Sequence, residues 1–161
     1  LVCGSKLILE KCVLRTVLTL LCFLSLCACG GENRGQRVCI YFKTGVALNV
    51  DPVGKASPLD VRIYQLDSVQ DFEEANFFTL YNAPEKVLKN HLLSKNRLEI
   101  RANENLLFEM FLLPKTEYVG FVCAYRNIEK TKWKEVIKVS DFSWGRISVD
   151  LKESGVEILN S

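Results

Sequence analysis

The chain has 161 residues, 48% of them hydrophobic, and a formal net charge of +2. Its length suits one domain. Residues 1–28 hold Lys6, Lys11 and Arg15 against Glu10, so this stretch carries the whole excess of +2 and residues 29–161 are balanced. A balanced domain lacks the clustered positive surface of a nucleic-acid binder, which excludes nucleic acid as the expected partner.

The first element is a leader. The run Thr16–Cys29 follows the three bases, has about the length of a signal-peptide core, and is short for a membrane-spanning helix. Leu26-Cys27-Ala28-Cys29 resembles the lipobox of bacterial lipoproteins, with Leu three positions before the cysteine and a small residue just before it. The resemblance implies that residues 1–28 are a lipoprotein signal peptide and that diacylglycerol is attached to the Cys29 thiol, the first mature residue. A membrane-spanning anchor and a plain cleaved signal peptide are the alternatives. Acyl chains contribute about 0.8 kcal/mol per buried methylene, so the three chains typical of bacterial lipoproteins hold durably. Gly30 follows the cysteine in place of the Asp that resembles an inner-membrane retention signal, which makes the outer membrane the expected destination. Residues 29–36, with Gly30, Gly31 and Gly35, read as a flexible tether.

From residue 37 the pattern is that of strands. Val38, Ile40, Phe42, Val46, Leu48 and Val50 occupy even positions, predicting one long strand with a single buried side. Asn49, Asp51, Pro52, Gly54, Ser57 and Pro58 then cluster turn formers into a loop too long for a tight hairpin. Such a loop is either an ordinary surface connection or a functional one. Leu59, Val61 and Ile63 alternate with Asp60 and Arg62 in a second strand ending in Tyr64-Gln65-Leu66. A helical excursion is expected over 68–93. Ser68 and Asp71 form a candidate capping box, Asn76 a cap for the turn holding Phe77, Phe78, Leu80 and Tyr81, and Pro84 the first residue of a further helix.

Strands resume at Arg97 with Leu98 and Ile100, then Leu106–Leu112, then Tyr118–Tyr125, which is apolar on both faces as a central strand should be. Trp133–Val139, Ile147–Leu151 and Val156–Ile158 complete the set. About eight short strands with regular turns favour a two-sheet β-sandwich over residues 37–161.

Catalytic chemistry is sparse. His91 is the one histidine, and a lone His is usually solvated or hydrogen-bonded rather than a ligand. No H-E-x-x-H, P-loop, dinucleotide fingerprint or G-x-S-x-G occurs, and Glu73, Glu74 and Asp141 are scattered. The expectation is no enzyme, no metal and no cofactor beyond the lipid on Cys29. Cys39 and Cys123, the two cysteines beyond Cys29, could be bridged or remain free thiols.

The order of elements is distinctive. A lipobox precedes the first strand, the loop with Asn, Asp-Pro, Gly and Ser-Pro, and the strand Leu59-Asp60-Val61-Arg62-Ile63-Tyr64-Gln65-Leu66. Then come Phe72-Glu73-Glu74-Ala75-Asn76-Phe77-Phe78-Thr79-Leu80-Tyr81, the run Tyr118–Arg126, and Trp133. From Val38 to Val139 this resembles the outer-membrane lipoprotein of the type VI secretion system, the TssJ (SciN) family. The resemblance implies a mainly β, transthyretin-like two-sheet sandwich with an inserted helical segment and no enzymatic activity. It implies a protein anchored by lipid in the outer membrane and facing the periplasm, which grips the periplasmic C-terminal region of the large inner-membrane subunit. In this chain the family's partner-contacting loop maps to Asn49, Val50, Asp51, Pro52, Val53, Gly54, Lys55, Ala56, Ser57 and Pro58.

Two readings compete with that anchor. A periplasmic small-molecule carrier lipoprotein would need a cavity inside the sandwich, which Phe42, Ile63, Phe108, Phe121 and Trp133 are expected to fill. A transthyretin-like hydrolase would need more histidine than His91 alone.

Overall fold

The computed structural model describes residues 35–142 and 144–159. The leader 1–28, Cys29 and most of the expected tether lie outside the described residues. Pairing begins at once: the Leu112 N–H donates to the Gln36 carbonyl at 2.9 Å, so the last residue of the expected tether already belongs to the fold.

Eight strands form two four-stranded sheets. Sheet I has the order β4-β1-β7-β8, from β1 (Arg37–Thr44), β4 (Leu106–Phe111), β7 (Arg146–Lys152) and β8 (Gly155–Leu159). Sheet II has the order β3-β2-β5-β6, from β2 (Leu59–Leu66), β3 (Leu92–Ile100), β5 (Tyr118–Cys123) and β6 (Lys134–Lys138). All pairs are antiparallel except β1 with β7. The first two strands therefore lie in different sheets, and the loop between them crosses from one to the other.

The core follows the alternation read in the sequence. Val38, Ile40 and Phe42 of β1, Leu59, Val61 and Ile63 of β2, Val119, Phe121 and Cys123 of β5, and Ile147, Val149 and Leu151 of β7 meet between the sheets. Phe42 and Phe121 stand edge to face with centroids 6.0 Å apart, worth about 1 kcal/mol beyond the area they bury. Phe108 and Trp133 pack against this core from partly buried positions, so the residues expected to fill the interior do so.

Three short helices, α1 (Gln70–Glu74), α2 (Phe77–Asn82) and α3 (Pro84–Leu88), cover the outer face of sheet II. There Phe72, Leu80 and Leu88 bury against Tyr64, Leu66 and Val122, a second apolar cluster. Two motifs of the sequence interlock at this seam. The Arg62 guanidinium lies 3.8 Å from the Tyr81 ring centre and donates to the Tyr81 carbonyl, while the Tyr64 hydroxyl donates to the Leu80 carbonyl at 2.8 Å. Burial pushes the Tyr64 hydroxyl above its ordinary pKa. Gly120 of β5 sits under Phe72; a Cβ there would come within 2.8 Å of the ring. Lys134 closes α1 by donating to the carbonyls of Phe72, Glu73 and Ala75. His91 pairs with Asp67 at 2.7 Å across the two ends of the insertion, the ordinary role for a lone histidine.

Three expectations need correction, and the alternative left open for the two cysteines is decided. The first strand ends at Thr44 rather than Val50, because the Thr44 hydroxyl shares its one proton between the carbonyls of Arg101 and Glu104 and accepts from the Glu104 N–H, turning the chain. Val46 is then 73% exposed, whereas Leu48 folds back to plug the end of the core, so the even-position rhythm survives across a bend. The helical excursion stops at His91, and β3 begins at Leu92 rather than Arg97, because the polar stretch Ser94–Asn96 completes the pairing with β2 along a sheet edge. Ser68 and Asp71 form no capping box: Val69 precedes α1 without any side-chain cap. Asn76 does cap α2, its Oδ1 accepting from the Thr79 N–H at 3.0 Å. Cys39 and Cys123 are both free. Cys39 points to the outside of sheet I, 3.9 Å from Glu109 Oε1, while Cys123 is fully buried between the sheets.

Candidate functional site: the β1–β2 loop

The loop 45–58 is built from its base outward. Asn49 holds the base. Its φ of 49° places it in the left-handed region, which Asn tolerates because its short amide can bond locally. That amide is 8% exposed and bridges two segments: Nδ2 donates to the Pro58 carbonyl and Oδ1 accepts from the Arg126 N–H, each at 2.9 Å. The Ser57 N–H donates to the Leu48 carbonyl at 3.2 Å, drawing the two arms together. The Arg126 guanidinium donates to Ser57 Oγ at 3.2 Å from outside.

The tip is tied by Asp51. Its Oδ1 accepts from the N–H groups of Val53 at 3.0 Å and Lys55 at 2.8 Å, the side-chain mimic of a turn that Asp favours. The backbone adds Asp51 N–H to the Lys55 carbonyl at 2.8 Å and Gly54 N–H to the Asp51 carbonyl at 2.9 Å. Gly54 adopts φ 82°, a conformation that glycine takes without steric cost. Pro52, Val53, Gly54 and Lys55 project into solvent, with Val53 87% exposed. The polar groups inside the loop are thus spent on holding its shape, and the side chains presented outward are a proline, a valine and a lysine.

Beside the loop lies a groove of about 610 Å³, open to solvent. Asn49 and Val50 form one wall, Arg126, Asn127 and Lys130 another, and the β7–β8 turn closes it with Lys152 and Glu153. Lys152 is engaged by Glu157, whose hydrogen bond raises the ammonium pKa. Tyr125, at the floor, is 4% exposed, and its hydroxyl has no hydrogen-bond partner among the described residues. Burial pushes that hydroxyl well above its ordinary pKa, and the same effect holds Cys123 protonated. Among the described residues no group of three or more His, Cys, Asp and Glu side chains could hold a metal ion, and no helix is long and apolar enough to cross a membrane.

Residues 36–154 match the family model described as type VI secretion lipoprotein (VasD, EvfM, TssJ). The chain belongs to this family. The type VI secretion lipoprotein TssJ1 of Pseudomonas aeruginosa is 26% identical, with a TM-score of 0.73 over 79% of this chain and 97% of that one. Serratia marcescens Lip, a membrane-bound component of the type VI secretion system, is 20% identical with a TM-score of 0.70 over 76% and 96%. A chain of a type VI membrane complex is 16% identical with a TM-score of 0.71 over 78% and 99%. The latter two show the shared sandwich fold. Comparison with curated proteins gives no match to this chain.

Within this lipoprotein the ten residues assigned to the loop divide by role. Pro52 to Lys55 are the presented tip, Val50 and Ala56 are half-buried, and Asn49, Asp51, Ser57 and the Pro58 carbonyl are the frame. Arg126, Lys130, Lys152 and Glu153 were not anticipated beside them. Arg126 alone had a signal, as the last residue of the Tyr118–Arg126 run; the others reach the loop only through sheet pairing. Cys29 lies outside the described residues.

Proposed function

We propose that this lipoprotein anchors the type VI secretion membrane complex at the outer membrane. Acyl chains on Cys29 hold it in the periplasmic leaflet, and the loop Asn49–Pro58 binds the periplasmic C-terminal region of the large inner-membrane subunit. The observation that carries the reading is the internally bonded loop: Asn49 and Asp51 between them satisfy three groups of its own backbone and the Arg126 N–H beside it, leaving an exposed Pro-Val-Gly-Lys tip. A loop already ordered loses less entropy on binding. Membership of a secretion-lipoprotein family supports the same reading and offers no precedent for catalysis.

Replacing Asp51–Lys55 by a Gly-Ser linker is expected to abolish pull-down of the inner-membrane subunit while the sandwich stays folded. Unchanged pull-down would move the contact to another face. Replacing Cys29 by Ser is expected to release a folded protein from the outer-membrane fraction. Continued sedimentation with that membrane would remove the lipid anchor from the proposal.

A further inference from the structure

The end of the sandwich opposite the loop carries a surface of a different kind. The chain enters the fold there: Gly35 lies so close to the end of β4 that a Cβ on it would fall 1.8 Å from the Leu112 carbonyl oxygen. Register brings four of the exposed apolar side chains, Phe111, Leu113, Trp144 and Leu159, to that same end. Arg37 stands opposite Phe111, Leu113 follows Phe111 on the turn out of β4, and Cys39 stands opposite Arg146, directly after Trp144 and Gly145. The Cys39 N–H donates to the Gly145 carbonyl at 2.9 Å, which fixes the Trp144 turn beside the start of β1. Leu159, at the end of β8, lies opposite Ser148 near the start of β7.

These four side chains are the reverse of a buried core. Trp144 is 98% exposed, Phe111 61%, and Leu113 and Leu159 44% each. Trp144 also has φ 56°, where a bulky residue is disfavoured, and among the described residues it packs on nothing that would compensate. The exposed bases Arg37, Lys115, Lys138 and Arg146 lie at the same end. The exposed acids at this end are Glu109, which pairs with Arg37 at 3.7 Å, together with Glu117 and Asp141.

From Cys29 to Gly35 there are six residues, which span at most about 20 Å when fully extended. A lipid on Cys29 therefore holds this end within that distance of the bilayer, a limit it does not set on the loop end. We infer that this end of the sandwich rests on the phospholipid leaflet, with Trp144 at the level of the head groups and Phe111, Leu113 and Leu159 against the surface. The inference rests on the lipid anchor proposed above. Tryptophan favours the membrane–water interface because its ring is apolar with a polar N–H, and neighbouring Arg and Lys reach phosphate groups. The contact turns a single-point attachment into an oriented one and points the loop Asn49–Pro58 away from the membrane.

The test uses the mature chain with Cys29→Ser and a polyhistidine segment ahead of residue 29. It is tethered to vesicles of phosphatidylethanolamine and phosphatidylglycerol that contain a nickel-chelating lipid. This tether replaces the acyl chains, so the outcome is independent of lipidation, which cell fractionation tests separately. The emission of Trp144 is the difference between this protein and its Trp144→Phe variant, since both retain Trp133. On vesicles whose acyl chains carry bromine near the head groups, that difference is expected to fall about twofold or more. An equal difference on brominated and ordinary vesicles overturns the proposal. So does a blue shift of Trp144 emission that grows with protein concentration in the absence of vesicles, which would make a second copy the occupant.

Discussion

At one end of the sandwich the Asn49 amide, 8% exposed, joins the arms of the β1–β2 loop to Arg126; at the other the Gln65 amide, 2% exposed, joins β2 to the end of β4. Gln65 Nε2 donates to the Phe111 carbonyl at 3.0 Å, and Oε1 accepts from the Leu113 N–H at 2.8 Å and from the Thr116 hydroxyl at 3.0 Å. The device is the same, a buried side chain that completes backbone bonding where strands stop. What each holds differs. Asn49 supports a loop whose polar groups are already paired and whose tip is small, whereas Gln65 supports the turn that displays Phe111 and Leu113. The difference teaches that the two ends present unlike surfaces, one a small, internally bonded tip and the other exposed apolar side chains.

The largest expected effect tests the Gln65 end. Gln65→Ala leaves the Leu113 N–H and the Phe111 carbonyl without their partner and should cost about 3 kcal/mol in urea unfolding. A loss as small as that of an exposed residue would mean that water replaces the amide. Asn49→Ala should cost about 2 kcal/mol, from two lost bonds and a left-handed backbone that Ala resists. Asn49→Gly should recover the backbone part alone, so the pair of variants separates strain from bonding at the loop end.

Alkali should strike the loop end as well, since Cys123 and Tyr125 lie there. Both groups have pKa values raised by burial above the ordinary 9.0 and 10.0, so the unfolded chain releases their protons at lower pH than the folded one. Their contribution is complete below about pH 9 and is lost as pH rises, by at most about 1.4 kcal/mol per pH unit for each group. Cys123→Ala should remove the first part of that slope in pH-dependent unfolding. The same burial predicts that a maleimide labels Cys39 in the folded protein and Cys123 only on unfolding.

Asp51→Ala should change stability by less than about 1 kcal/mol, because the tip is exposed. It should nevertheless weaken binding of the inner-membrane subunit in a pull-down titration, since the tip loses its two side-chain ties. The smallest effect is Tyr125→Phe, which removes a buried hydroxyl without a partner and is expected to leave stability unchanged or slightly higher.

Much of this was legible in residue order. Alternation located the inward faces of β1, β2, β5 and β7, since a strand with one buried side must repeat every second residue. The two-sided apolar pattern of Tyr118–Tyr125 marked a central strand, with helices on one side and core on the other. Asn49, Asp51 and Gly54 marked a loop because their local chemistry suits turns. Local chemistry did not reveal where β1 ends, because Thr44 turns the chain through bonds to residues near 100 that are distant in sequence. Nor did it separate the outward Cys39 from the buried Cys123 as thiols that never meet, since that depends on which face of which sheet each occupies. The companions of the loop, Arg126, Lys130, Lys152 and Glu153, and the grouping of Phe111, Leu113, Trp144 and Leu159 at the other end were decided only by tertiary structure. Sequence patterns report on neighbours along the chain, and these groupings are set by the register between strands that the chain brings together from far apart.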